Sequence, residues 1–435
     1  MTLAMKPSLV ALTAFSFFAA TYLVGYQPPL KAAEQAGTET TANQFRVPNG
    51  QLTFDLEGLE CPDPSDKCIA FHSRIPHVPS EESGVTIGRG YDLKLKTPSK
   101  IKADLLAIGL SSENADIYSE AGCKVAIKGT CKPQYIGKQA KEFIKTNKTK
   151  LVEITPEQQK KLFAMTYSEI EADVKSIHNK NAKSKAEQTK NIIQYDNLNP
   201  FIKDILIDLR FRGDYTPESR KLIEVAAMKN DLAGFRYALS NSYWLSKKQP
   251  VSTDRFIQRY VYLGGQQSDV VYVSKHGFKI IKPSDWPGLT TQVDDYPSVA
   301  TANEYSGNYF MLMNYDYTSK HRDAYLNKIK LEIYICGDTT DAKLPSGYGD
   351  CSTQSLGRLE AQIKQRGAKV GIINMSDTQA YILPQPITEE GGDWDIGDYK
   401  VIYYRKGGRI AVFNVRSDRK TSEMNGIVSS FRFLR

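Results

Sequence analysis

The chain has 435 residues, 41% of them hydrophobic and 24% charged, with a net charge of +8. That length leaves room for two domains, and the composition is that of a soluble globular protein. The positive excess suits an acidic partner such as a bacterial wall or membrane surface, or serves solubility; no basic block is dense enough to argue for nucleic acid.

Met5-Lys6 precedes an apolar run from Leu9 to Val24, which Gln27-Pro28-Pro29 ends. A short basic start, an apolar stretch and a polar break predict export. Residues 1–30 are then either a signal peptide, cut near Leu30-Lys31-Ala32-Ala33, or an N-terminal anchor held in a membrane. Either way the remainder is expected to be secreted or periplasmic. Residues 31–49, rich in Ala, Thr, Glu and Gln, read as a flexible tether, and Asn49-Gly50 as the turn into a first domain over 50–263.

The six cysteines fall into three near neighbours: Cys61 with Cys68, Cys123 with Cys131, and Cys336 with Cys351. An even count in an exported chain predicts disulfides, and proximity suggests these pairs among the fifteen pairings that six cysteines allow. Short Cys-x-x-Cys spacings and clustered histidines are absent, so no metal is expected.

A small β element is expected around 52–95, followed by helices. Ile101, Leu105 and Ile108 share one face, and Ile136, Ala140, Phe143 and Ile144 another. Thr155, Pro156 and Gln158 predict a helix start with a reciprocal cap, and Phe163, Tyr167 and Ile170 continue its buried side. Further helices are expected over 200–210, 217–229 and 231–243, with Phe201, Ile205 and Leu209 as a core stripe. Gly264-Gly265-Gln266-Gln267-Ser268 then reads as a linker (264–269). Residues 270–435 alternate as strands do: 278–281, 309–313, 330–335, 369–373, 380–383, 400–404 and 410–415. They predict an antiparallel sheet with one buried face, a hairpin turn at 405–409, and covering segments near 320–328, 352–366 and 418–430. The fold class is α+β.

Within the first domain, Glu57-Gly58 is followed by His77-Val78-Pro79, by Thr86-Ile87-Gly88-Arg89-Gly90-Tyr91-Asp92, and by Ile154-Thr155-Pro156-Glu157-Gln158-Gln159. Residues 51–263 thereby resemble the phage-type lysozymes, and more closely the pesticin-like muramidases. In that family a Glu before a Gly opens the site and a Thr-x-Gly-x-Gly-x-Asp hairpin closes it. The resemblance implies a mainly helical lysozyme-like domain that cleaves the β-1,4 link between N-acetylmuramic acid and N-acetylglucosamine. Phe278-Lys279-Ile280, Pro283 and Trp286-Pro287 give the second domain a resemblance to PsbP/Mog1-like α/β sandwiches. An alternative reading makes this domain a module that binds a protein partner, with the first domain subordinate to it.

Cleaving a glycosidic bond needs a proton donor to the leaving oxygen and a carboxylate that activates water or attacks the anomeric carbon. Glu57 is the expected general acid, its protonated form favoured by Phe54, Leu56 and Leu59; Glu60 is its nearest competitor. Asp92 is the expected second carboxylate and Thr86 the hydroxyl holding the attacking water. Asp92 also suits a turn-closing role. The simple phage enzymes place the Asp six residues before the Thr, where Ser80 stands here; the pesticin-like pattern places it six after, at Asp92. Glu81 and Glu82 are backups. His77, Arg89 and Arg212 are candidates for substrate contact, and Arg210, Gly213, Arg255 and Arg259 for structural support. No cofactor is expected. Peptidoglycan is the expected partner, and a non-catalytic wall-binding protein on the same scaffold is the alternative. No Gly-x-Ser-x-Gly elbow, phosphate loop or His-Glu-x-x-His is present.

Overall fold

A computed structural model describes residues 45–60, 72–125, 131–185 and 191–286, apart from 248 and 274–277. Beyond these it describes the strands named below, scattered positions between 352 and 365, and residues 426–434 apart from 429. Residues 1–44, the Cys61–Cys68 pair, Cys351 and the segment 320–328 lie outside the described residues. The chain mixes helices with small antiparallel sheets and divides into two compact units, one with the described residues up to Phe235 and one with those from Arg236.

The first unit starts with α1 (Gln51–Leu56) and a hairpin of β1 (Thr86–Ile87) and β2 (Tyr91–Asp92). Then come α2 (Pro98–Ala107), α3 (Ser112–Ser119), a hairpin of β3 (Lys124–Val125) and β4 (Cys131–Lys132), and α4 (Lys138–Thr146). It continues with α5 (Pro156–Lys185), α6 (Pro200–Phe211), α7 (Pro217–Met228) and the start of α8 (Leu232–Leu239). Four helices open alike, with a capping Thr or Asn before a Pro. Thr97, Thr155, Asn199 and Thr216 each accept a first-turn amide through the side chain at 2.9–3.2 Å. Proline's missing N–H costs nothing there, since first-turn amides have no partner within the helix. Gln158 returns a bond to the Thr155 amide at 2.9 Å, completing the reciprocal cap expected from the sequence.

The expected stripes on α2 and α4 meet in one core. Ile101, Leu105 and Ile108 pack with Ala140, Phe143 and the hairpin residues Val85, Ile87 and Tyr91. Ile136 stays exposed at 37%. On α6, Ile205 and Leu209 are buried but Phe201 is 46% exposed, while Ile202, next to it in the same first turn, is fully buried, so the packed face is centred to one side of the expected stripe. Cys123 and Cys131 form a disulfide that ties β3 to β4.

A second aromatic layer carries the hairpin. Phe163 of α5 lies 5.1 Å from Phe54 of α1 and 5.7 Å from Phe211 of α6, centroid to centroid. Gly90 rests on Phe211, where an added Cβ would come within 2.2 Å of the ring. Both hairpin glycines have positive φ (Gly88 63°, Gly90 84°), but a Cβ on Gly88 would meet nothing closer than 3.4 Å. Gly90→Ala is therefore expected to cost about 2–4 kcal/mol, from overpacking plus backbone strain, and Gly88→Ala about 1 kcal/mol from strain alone. Urea unfolding of both variants checks the order; equal losses would show that Phe211 moves aside freely.

The second unit holds the rest of α8, then α9 (Tyr243–Ser246), α10 (Thr253–Tyr262) and α11 (Gln267–Val270). The expected 231–243 helix is thus interrupted. Residues 264–269, read as a linker, include a helical turn in which Gln266 and Asp269 cap each other. Two antiparallel sheets follow. In the smaller, β6 (Phe278–Ile281) lies between β5 (Val271–Val273) and β14 (Arg432–Phe433). The larger has seven strands: β7 (Gly288–Thr290), β8 (Tyr309–Met313), β9 (Ile329–Cys336), β10 (Lys369–Val370), β11 (Gln379–Leu383), β12 (Asp398–Lys406) and β13 (Arg409–Ser417). Their spatial order is β10-β11-β12-β13-β9-β8-β7. The hairpin expected at 405–409 joins β12 to β13, with Lys406 opposite Arg409. Phe278–Ile281, expected in the single sheet, belongs to the smaller one.

Candidate functional site

The glycine pair closes a three-residue turn, so Ile87 faces Tyr91 and Thr86 faces Asp92. On the other side, Thr86 exchanges backbone bonds with His77: the Thr86 amide donates to the His77 carbonyl at 2.8 Å, and the reverse bond is 2.9 Å. Residues directly opposite in antiparallel pairs project to the same face. His77, Thr86 and Asp92 therefore form a row across three short backbone segments, although the sequence spreads them over sixteen positions.

Each member of the row is positioned differently. Thr86 is buried, and its hydroxyl approaches the Gly84 carbonyl at 3.4 Å. Asp92 is partly exposed. Its Oδ1 accepts the Lys94 amide at 2.9 Å, and its Oδ2 accepts the Gly84 amide at 3.2 Å and lies 3.3 Å from Lys94 Nζ. Lys94 is buried and also donates to the Glu82 carbonyl at 2.8 Å. Asp92 thus closes a turn, as one reading of the sequence held, and still presents an oriented carboxylate beside a cation. His77 donates from Nδ1 to the Ile75 carbonyl at 2.9 Å, since a carbonyl can only accept. Desolvation pulls its pKa below the ordinary histidine value, opposed by the Ile75 bond and the Asp92 charge. The neutral ring carries its remaining lone pair on Nε2.

Glu57 caps the C-terminus of α1, its amide donating to the Thr53 carbonyl at 2.9 Å. Its side chain is half-buried, with Oε1 inside the protein. Arg89, at the tip of the hairpin, fixes this corner. It is 5% exposed, its guanidinium lies 4.0 Å above the Phe54 ring, and it donates to the Phe54 carbonyl and, at 3.2 Å, to that of Gly58. Those carbonyls bracket Glu57. Arg89 also pairs with Glu60 at 3.2 Å and donates to Gln159 Oε1 at 3.4 Å. Desolvation lowers the Arg89 pKa from its ordinary value, and Glu60 gives the largest opposing effect. Gly58 sits against the Arg89 stem, where a Cβ would lie 2.7 Å from Cγ. The Glu-Gly pair and the hairpin are therefore bolted together by one residue.

Glu60 is engaged in a different way. Arg74 binds its Oε2 at 2.8 Å and Arg89 its Oε1 at 3.2 Å, while Arg74 and His72 both reach Glu153. That network holds it as a brace. Glu81 is exposed and pairs with Lys141, Glu82 is exposed, and Ser80 Oγ bonds Ser83 Oγ at 2.8 Å. None of the three joins the row. Arg212 is buried and paired with Asp214 at 2.6 Å. Arg89 likewise directs its donors to the protein, whereas His77 is partly exposed. Arg255 and Arg259 are buried in α10 of the second unit. Gln159, Lys94 and the Arg74–Glu153 pair carry no role in the sequence reading. Gln159 lies in a quoted motif, but its partner is 70 residues away. Among the described residues no cluster of acidic, His or Cys side chains could hold a metal ion, and no helix is long and apolar enough to cross a membrane.

Residues 50–260 match a family described as a domain of unknown function (DUF8812). The match contains the whole hairpin, Glu57 and the Arg89 contacts. No curated protein matches the chain.

Proposed function

We propose that the protein is an exported muramidase, a glycoside hydrolase cutting the N-acetylmuramic acid to N-acetylglucosamine β-1,4 link of peptidoglycan. The observation that carries this reading is the fastening of Glu57 to the Thr86–Asp92 pair: Arg89, from the turn between Thr86 and Asp92, binds the carbonyls on both sides of Glu57. Such chemistry needs two acidic groups on a rigid frame with a polar residue to place water. Glu57 gives its proton to the leaving glycosidic oxygen. Asp92, already oriented by two amides and Lys94, directs or deprotonates the water, which Thr86 holds, or attacks the anomeric carbon itself. His77, beside Thr86, accepts a hydrogen bond from substrate through Nε2. The first unit is read as a lysozyme-like lobe and the second as a PsbP/Mog1-like partner-binding module.

Mass spectrometry of muropeptides released from purified walls by the full chain tests this directly. New reducing ends are expected. Anhydro ends would reassign the chemistry to lytic transglycosylation, and intact walls that nevertheless sediment the protein would leave a wall-binding scaffold.

A further inference from the structure

The positive excess of the chain is concentrated in one segment. Segment 124–150 holds eight lysines and one glutamate, a net of +7, so the other 408 residues together carry only +1 of the total +8. Lys128 lies outside the described residues; the other seven are exposed. Lys141 pairs with Glu81 and Lys145 approaches Glu142 at 3.9 Å, whereas Lys124, Lys132, Lys138, Lys148 and Lys150 have no ion-pair partner among the described residues.

The fold holds these charges together at a cost. Lys124 and Lys132 stand directly opposite across the β3–β4 pair, whose ends the Cys123–Cys131 bridge ties, and like charges in that position repel. On α4, burial of Ala140 and Phe143 turns Lys138, Lys141 and Lys145 outward at three- and four-residue spacing, another repulsive arrangement. Beyond the Glu81 and Glu142 pairs, a polyanion lying along this face would turn that repulsion into attraction. The segment also adjoins the candidate site: the Gly137 amide donates to the Ser83 carbonyl at 2.9 Å, in the run that leads into Thr86.

We infer that this lysine surface attaches the protein to the ionised carboxylates of peptidoglycan stem peptides, along the strand being cut. The inference rests on the peptidoglycan reading. The segment contains lysine and no arginine. Lysine is a mobile point charge without the planar fork used for bidentate recognition, which suits a flexible polymer with repeated carboxylates better than a single defined anion. Attachment by such charges is screened by salt.

The test compares the full chain with a Lys138→Gln, Lys145→Gln, Lys148→Gln, Lys150→Gln variant. Both are sedimented with sacculi stripped of phosphodiester polymers, across a sodium chloride series. All four side chains are exposed, so the variant should fold, which circular dichroism and melting verify; single Lys→Gln changes at the same positions serve if it does not. Expected is an affinity about 10–100-fold lower for the variant at low salt, a shallower salt dependence, and a similar loss for the parent on sacculi whose stem carboxylates have been amidated. Equal binding by parent and variant, or undiminished binding to amidated sacculi, would overturn the inference. So would attachment that requires phosphodiester polymer, anionic lipid vesicles or DNA in place of stripped sacculi. Muropeptide release from the same samples separates this test from that of the hydrolase reading. Lysine-dependent binding without cleavage sinks only the enzyme, and cleavage with lysine-independent binding sinks only the surface.

Discussion

Glu57→Gln and Asp92→Asn are each expected to lower the rate of wall clearing by about 10²–10⁴-fold, the usual contribution of a positioned proton donor or acceptor. Glutamine matches glutamate in size, so the half-buried corner at the end of α1 keeps its packing, but an amide cannot supply the proton. Asparagine at 92 still accepts the Lys94 amide through one oxygen, while losing the charge facing Lys94 Nζ at 3.3 Å. The change also loses the Gly84 amide bond and takes the carboxylate charge away from the buried Lys94, a combined cost of about 1–3 kcal/mol. Activity and stability should therefore separate most cleanly in Glu57→Gln, while in Asp92→Asn turnover collapses and melting falls by several degrees. Wild-type clearing by Asp92→Asn would reduce Asp92 to a turn-closing residue and remove the second carboxylate from the mechanism.

Arg89→Met is expected to destabilise the protein by about 3–5 kcal/mol, as measured by chemical denaturation, because it removes one side of a buried charge pair and leaves acceptors unmatched. Methionine retains the apolar contact with Phe54. The Phe54 and Gly58 carbonyls, Gln159 and Glu60 each lose a donor. A loss below about 1 kcal/mol would mean that water replaces the guanidinium, and that Arg89 does not hold the corner. At temperatures where the variant is folded, turnover should drop more than wall binding, since Arg89 acts on the position of Glu57 and touches no substrate.

Several parts of this arrangement are legible in the sequence because their causes are local. Gly88 and Gly90 announce a turn with positive φ, and the Thr86–Asp92 register follows from closing it in three residues. Thr155, Pro156 and Gln158 mark a helix start by chemistry that operates within one turn. The stripes on α2 and α4 follow from periodicity. Other parts depend on partners that a window of sequence cannot contain. Arg89 looks like an isolated basic residue at a turn, and its meaning comes from carbonyls 31 and 35 residues back and an amide 70 residues ahead. The smaller sheet pairs Phe278 with Phe433, too distant for alternation alone to suggest. Phe201 fits a core period yet stands outside while its neighbour Ile202 is buried, since a period that fits several apolar residues does not tell which side of the helix the core lies on.

The seat of the hairpin has a consequence for the order in which the polypeptide is made. Gly90 leans on Phe211, and the residue between the two glycines binds Gln159, so the platform is completed about 120 residues after the hairpin has left the ribosome. A nascent chain ending before α6 carries Glu57, Thr86 and Asp92 and the core of α2, α4 and α5 around them, but lacks the Phe211 ring on which Gly90 rests. The last support of the hairpin is then added only when most of the first unit has already been made.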